Sequence, residues 1–432
     1  MHLLFANKGW SARPPQEQVA LCVRVYRGRH ARDVEQQVRD MLGERRAIVG
    51  RVDMTRNPLR SACDRVNRAY QRPPLVTGIT PALLAGMGDA SSSVAVRRYT
   101  EAGGLPMPTT QQAEAREALG LYLAAGYSGL MVGWSARRQR VTVQAIAPDD
   151  LSVEYSGDDP IEPTVIEHAR QRWQGDRYVS VRERYDLRDI ERPVYSVRTV
   201  DGDDLTPADV AAQDGWPSEW RLADGRPIHR IAILGRPGQP YGTLRLVEAS
   251  LRVPALWSHW SAAIVDAGHP SRHAMGLRAA GASSDARSGQ QGQAGGPEAI
   301  HLWDHVDPER PGSIMQLGPG YDPKVSGEAI TAYEMAAQTQ LGLPLLMSST
   351  GGDPVAQEEE AAERAAAVHY PALRMVDAHV LQVAECYLAL HQQRRPVDIR
   401  AGILYGDEVE AALEPPDPVT AAGQTTEDSP DA

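Results

Sequence analysis

Between residues 326 and 341 the apolar side chains Ala329, Ile330, Tyr333, Ala337 and Leu341 recur at the three- and four-residue spacing of one helix face. Ser326 is placed to cap that helix, and Gly342 and Pro344 supply a left-handed stop followed by a residue that cannot continue it. After the loop Leu343–Gly352, Asp353-Pro354 reads as a cap with proline at the first helical position. The helix it opens is predicted to run to about Gln392, with Pro371 kinking it midway. A further helix is predicted over Leu244, Val247, Leu251, Leu256, Trp257, Trp260 and Ile264, with Pro254 breaking or kinking it.

Elsewhere the period changes. Residues 73–240 read as short β-rich runs and turns, with alternating apolar and polar positions at Val141–Val143, Leu151–Tyr155, Tyr178–Tyr185, Val194–Val200 and Ile228–Leu234. Asp201-Gly202 is a hairpin turn signal between two of these runs. Upstream, Val34, Val38, Leu42, Ile48 and Val49 predict a first helix and its continuation. A last strand is expected over Val397–Tyr405. The stretch Ala279–Pro297 is rich in Gly, Ala, Ser and Gln and has too little apolar surface to offset its ordering entropy, so a mobile loop is expected. From Glu414 onward the chain is acidic and expected to be a disordered tail. The fold class that results is α+β.

Composition changes this picture little. A chain of 432 residues, 42% hydrophobic and 23% charged, is that of a globular protein with room for more than one core. No run reaches the roughly 20 apolar residues of a membrane helix, and Met1–Trp10 has no basic start or small-residue cleavage site, so neither a membrane partner nor secretion is expected. Cys22, Cys63 and Cys386 are odd in number and far apart, which suits thiols in a reducing compartment better than a disulfide framework or zinc site. The formal net charge of −11 lacks the basic excess with which proteins grip phosphates.

Candidate chemistry is sparse. There is no G-x-G-x-x-G, no phosphate loop ending in Gly-Lys-Ser/Thr and no H-E-x-x-H, and Gly126, Gly129 and Gly133 have the wrong spacing for a phosphate cradle. His301 and His305, like His269 and His273, have the spacing of two metal ligands on a helix, but Asp307-Pro308 and Pro270 argue for non-helical segments. Asp201, Asp203 and Asp204 lack the periodicity and closing Glu of a calcium loop. No cofactor, metal or catalytic residue is therefore expected. Glu358, Glu359, Glu360 and Glu363 lie near a helix start, where the dipole favours acids; they read either as a solvated face or as a functional acidic surface.

Several segments, in order, resemble the portal proteins of tailed bacteriophages. Ala336-Ala337-Gln338-Thr339-Gln340-Leu341-Gly342-Leu343-Pro344 is similar to the end of that family's second stem helix, and His369-Tyr370-Pro371-Ala372-Leu373 to the proline step of the helix after it. Gly126–Gly133 and Ile146–Val153 resemble wing strands, and Ile264–Pro270 the passage from first stem helix to clip. The likeness spans roughly residues 30–410 and rests on order and spacing. It implies a wing over 1–240, stem helix 1 over 241–267, a clip over 268–325 with a flexible insertion at 279–297, and stem helix 2 over 326–341. A tunnel loop over 342–353, a kinked helix with wing and crown over 354–413 and the tail 414–432 complete it. It also implies a non-enzymatic ring, a 12-mer, at one capsid vertex of the virion, assembled in the host cytoplasm. Double-stranded DNA would pass through it, and terminase, a head–tail adaptor and the major capsid or scaffold protein would dock on it. Within the loop, Leu345, Leu346, Met347, Ser348, Ser349 and Thr350 would face the DNA; with no Arg, Lys or aromatic they can touch it by shape alone. Net acidity suits passage, because it repels phosphates within about 8–10 Å at physiological salt. Other readings are a soluble nucleotide-acting enzyme, or a head–tail adaptor other than the portal.

Overall fold

The computed structural model describes residues 15–42, 52, 54–88, 94–157, 162–174, 176–189, 191–206, 227–237, 244–268, 272–275, 300–303, 313–316, 323–343 and 354–414. The helices are α1 (Pro15–Tyr26), α2 (Ala31–Leu42), α3 (Pro58–Val66), α4 (Pro81–Gly86), α5 (Val94–Glu101), α6 (Thr109–Ala125), α7 (Leu244–Gly268), α8 (Pro323–Gln338), α9 (Pro354–Ala367), α10 (Tyr370–His391) and α11 (Gly406–Leu413). The strands are β1 (Leu75–Thr77), β2 (Leu105–Pro106), β3 (Tyr127–Ser135), β4 (Arg140–Ile146), β5 (Leu151–Tyr155), β6 (Pro163–Gln174), β7 (Arg177–Asp186), β8 (Val194–Thr199), β9 (Ile231–Gly235), β10 (Arg272–Met275), β11 (Ile300–Trp303), β12 (Ser313–Gln316) and β13 (Gly402–Leu404). The chain is α+β, as the alternation of periods predicts.

Two compact units form. One comprises Met1–Asn7, Gly28–Pro58 and Arg245–Gln338; the other comprises Lys8–Arg27, Leu59–Leu244 and Thr339–Ala432.

In the first unit, α7 and α8 run antiparallel. Trp260 lies against Gly327 near the start of α8, and Arg252 and Glu248 face Tyr333 further along it. A Cβ on Gly327 would stand 3.2 Å from the Trp260 ring, so the small residue lets the helices approach. Arg56 stacks over Trp257, 4.1 Å from the ring centroid, and reaches Glu334 at 3.0 Å. Pro254 does not break α7. It lacks the N–H that the Ser250 carbonyl would accept. The helix continues around it, with the Ser258 hydroxyl donating to the Pro254 carbonyl at 2.7 Å. α8 begins at Pro323, three residues before the predicted cap, because proline is itself suited to a first helical turn. The predicted stop holds: a 3-10 turn at Thr339–Leu341 ends on Gly342 with φ +77°. β10 pairs with β11 in parallel and with β12 antiparallel.

In the second unit, β4-β3-β9 form one antiparallel sheet and β5-β6-β7-β8 another. Their facing side chains make one core: Tyr127, Met131, Ile146 and Ile231 pack with Leu151, Ile166, Val181, Tyr185, Tyr195 and Val197. α6 and α10 also pack on β3 and β4. β3 is therefore buried on both faces from Tyr127 to Val132 and reads as a continuous run rather than an alternating one. α6 ends at Gly126, φ +88°, in the left-handed cap that glycine adopts without strain. A short sheet β13-β1-β2 carries α5 and α11 through Leu75, Tyr99 and Val409.

Three expectations need correction. Residues 81–125, read as part of a β-rich region, hold α4, α5 and α6. The C-terminal half of α6 is buried all round, from Ala118 through Ala125, so it shows no amphipathic period. The long helix after 353 is two helices: α9 stops at Ala367, and Pro371 sits in the first turn of α10, where its missing N–H costs no ladder bond. The strand expected over Val397–Tyr405 shrinks to β13. Part of the backbone ahead of it is held by side chains of α10, not by a ladder: Val397 N–H donates to Glu385 at 3.1 Å and Ile399 N–H to Gln382 at 2.7 Å. The insertion 279–297 and the tail beyond Glu414 lie outside the described residues.

Candidate functional site

The side chains proposed from the sequence lie, in chain order, between α8 and α10. Leu345, Leu346, Met347, Ser348, Ser349 and Thr350 lie outside the described residues. The four glutamates are all on α9, and at about 100° per residue they cannot share one face. Glu358 pairs with Arg65 of α3. Glu363 accepts from the Tyr370 hydroxyl and, at 3.4 Å, from Asp407 N–H. Glu360 is exposed and pairs one turn on with Arg364 at 2.9 Å, and Glu359 is exposed. Two of the four are thus held by their own unit, and two point to solvent.

Two buried polar clusters anchor α10, the second helix after this loop. In the first, the Asp377 carboxylate accepts from the hydroxyls of Tyr70 and Tyr405, each at 2.7 Å, and from the Gln111 amide at 3.0 Å. Burial raises its pKa, and the three donors act against that rise. In the second, Arg230 donates to Tyr185 at 2.8 Å, Tyr195 at 2.9 Å, Tyr387 at 3.2 Å and the fully buried Glu183 at 3.0 Å. Glu183 also takes Arg170. Beside it His168 is lowered to about 4, first by desolvation and then by the nearby arginines, against Glu183. His229 is lowered to about 3 by desolvation and by His379, whose Nε2 lies 2.9 Å from the His229 carbonyl. These clusters tie α10 into its unit and act as clamps, although among the described residues Gln111 Oε1, His168 Nδ1, Arg170 Nε and His229 Nδ1 are buried without a hydrogen-bond partner. Sequence spacing gave no sign of them, since Glu183, Arg230 and Tyr387 come from three distant segments.

The remaining sequence candidates do not converge. Cys22, Cys63 and Cys386 are buried free thiols, and desolvation pushes Cys22 up to about 12 and Cys386 up to about 11, which keeps them protonated. His273 and His301 fall opposite one another in the β10–β11 register, whereas His269 and His305 are outside the described residues. Among the described residues no group of three or more His, Cys, Asp or Glu could hold a metal ion. Asp201, Asp203 and Asp204 form the turn after β8, with Gly202 at φ +99° and Asp204 accepting from Thr206 N–H at 2.9 Å. No described helix is long and apolar enough to cross a membrane.

No protein-family model matches this chain. No curated protein matches it. Among solved structures, one chain described as "Neck of empty GTA particle computed with C6 symmetry" aligns over 86% of this chain and 87% of its own length, at 15% identity and a TM-score of 0.37. A likeness at that level carries no inference about what this chain does.

Proposed function

We propose that this chain is the subunit of a homo-oligomeric ring of the phage portal type, a structural protein of a virion vertex through which duplex DNA passes. The observation that carries the reading is the order of elements. Two antiparallel helices, α7 and α8, bracket the strands β10–β12 in sequence and belong to a different unit from the sheet-rich core. A Gly342 stop and the segment 343–353 then lead into a helix pair divided at Pro371. In this reading α7 and α8 are the stem helices, the strands between them the clip, Leu345–Thr350 the tunnel loop, and the second unit most of the wing and crown. Glu359 and Glu360 are the members of the acidic set free to face a channel. Terminase and then a head–tail adaptor would dock at the clip, a capsid or scaffold protein at the wing, and the ring would be a 12-mer without catalysis of its own.

Exposed apolar side chains support self-assembly. Val368 and Met375, seven residues apart around the α9–α10 step, are 74% and 67% exposed. A head-to-tail interface that closes by rotation would cover such a face in every copy. Light scattering of the purified protein should give a single large oligomer. Val368→Glu with Met375→Glu should shift it towards monomer without changing circular dichroism. A wild-type protein that stays monomeric at micromolar concentration would exclude a ring.

A further inference from the structure

The outer face of β7 and β8 carries an unbalanced pair of arginines. Arg182 and Arg198 are directly opposite in the antiparallel register. Both are exposed, and Arg182's other cross-strand neighbour is Ala169. Like charges directly opposite on a sheet are unfavourable unless something neutralises them. One step along, the charges balance: Arg184 pairs with Glu167 at 2.6 Å, and Asp186 takes Arg184 at 3.4 Å and also Arg188. Among the described residues neither Arg182 nor Arg198 has a side-chain ion pair. Asp204 stands opposite Arg198 in an isolated antiparallel bridge, and Arg198 lowers its pKa only as a lesser influence after its bonds to Thr206. Together Arg182, Arg184, Arg188 and Arg198 line a shallow cleft of about 540 Å³ whose rim includes Val194 and Val200, 45% and 62% exposed.

We propose that this arginine-centred sheet face is a docking site for the chain's own acidic C-terminal segment, Pro415–Asp431. That segment supplies Asp417, Glu427, Asp428 and Asp431, and the chain has no Lys or Arg after Arg400. Its first part, Pro415-Pro416-Asp417-Pro418-Val419, offers apolar rings for the Val194 and Val200 rim. Fully extended, the chain from Glu414 to Glu427 spans up to about 45 Å. Tethering also gives the segment a local concentration on the order of millimolar, enough for a weak site to stay filled. Guanidinium groups receive carboxylates in paired hydrogen bonds, the geometry that two adjacent arginines present. Docking would shield this cationic patch from other polyanions. The inference does not depend on the ring reading.

The test uses a labelled peptide of residues 415–432 and three proteins: full length, a form ending at Glu414, and that shorter form with Arg182→Gln and Arg198→Gln. Fluorescence anisotropy at low salt should show the peptide binding the shorter form. Binding should be at least tenfold weaker to full-length protein, whose own segment occupies the face, and at least tenfold weaker to the arginine variant. Because both arginines are exposed, the variant's melting temperature should match that of its parent. The proposal is overturned if the shorter form does not bind the peptide, if full-length protein binds it equally well, or if the arginine substitutions leave binding unchanged. Binding of duplex DNA to this face without binding of the peptide would also overturn it, in favour of a nucleic-acid surface.

Discussion

Arg230→Met removes the cation at the centre of the buried clamp between sheets and α10, and its cost can be worked from the contacts. The Arg230 side chain is 14% exposed and Glu183 is 0% exposed, so the variant leaves a buried carboxylate with Arg170 as its remaining cation. Removing one partner of a buried ion pair costs about 3–5 kcal/mol. Arg170, itself 31% exposed, keeps part of that compensation, which points to the lower end. The hydroxyls of Tyr185, Tyr195 and Tyr387 each lose a donor as well, a smaller loss because a hydroxyl can reorient. The expected destabilisation is about 3 kcal/mol, or a melting temperature about 5 °C lower for a unit of about 300 residues. Adding Glu183→Leu should recover much of the loss, because an apolar replacement of a buried pair is close to neutral. Thermal and urea unfolding of wild type, both single variants and the double variant give the coupling energy directly. A single-variant cost below about 1 kcal/mol, or strictly additive effects, would refute the clamp.

Three further outcomes follow from the same contacts. His168 is held at about 4 in the fold, below its ordinary value of 6.5, so the unfolded chain binds the extra proton between those values. Stability should therefore fall as pH drops from 6.5 to about 4, and His168→Gln should flatten that slope in urea titrations across the window; an unchanged slope would mean His168 is not the group responsible. Gly120→Ala places a Cβ into the Tyr26 ring and should cost about 1–3 kcal/mol by thermal unfolding, relieved by adding Tyr26→Ala; no cost would mean α1 and α6 are less closely packed than described. Bulky charged residues at Ser348 and Thr350 should leave assembly intact while impairing DNA packaging or retention, and normal packaging by such rings would remove the loop from the DNA path.

Where side chains alternate over a half-buried sheet, the chain is legible. β4, β5, β7, β8 and β9 fall on predicted runs, and Asp201-Gly202 makes a turn, but the expected hairpin does not form because β9 pairs with β3 and not with β8. Gly342 acts where its backbone chemistry requires, whereas Pro371 opens α10 instead of kinking one long helix. α6 is hidden because burial on all sides erases its period, and residues 397–401 fail as a strand where Glu385 and Gln382 take up backbone donors that a ladder would use. The clamps around Asp377 and Arg230 were out of reach for a different reason. Each draws single polar residues from segments dozens to hundreds of positions apart, as with Tyr70 and Asp377, and only the packed fold brings them together.

The central claim is that copies of this chain close into a ring with an open axis. Negative-stain electron microscopy of the purified full-length protein tests it most directly. Closed rings with a central hole wide enough for duplex DNA, about 20 Å or more, are the expected result, with twelve-fold class averages matching the proposed stoichiometry. Discrete compact particles without a hole, under conditions where circular dichroism shows the chain folded, would contradict it.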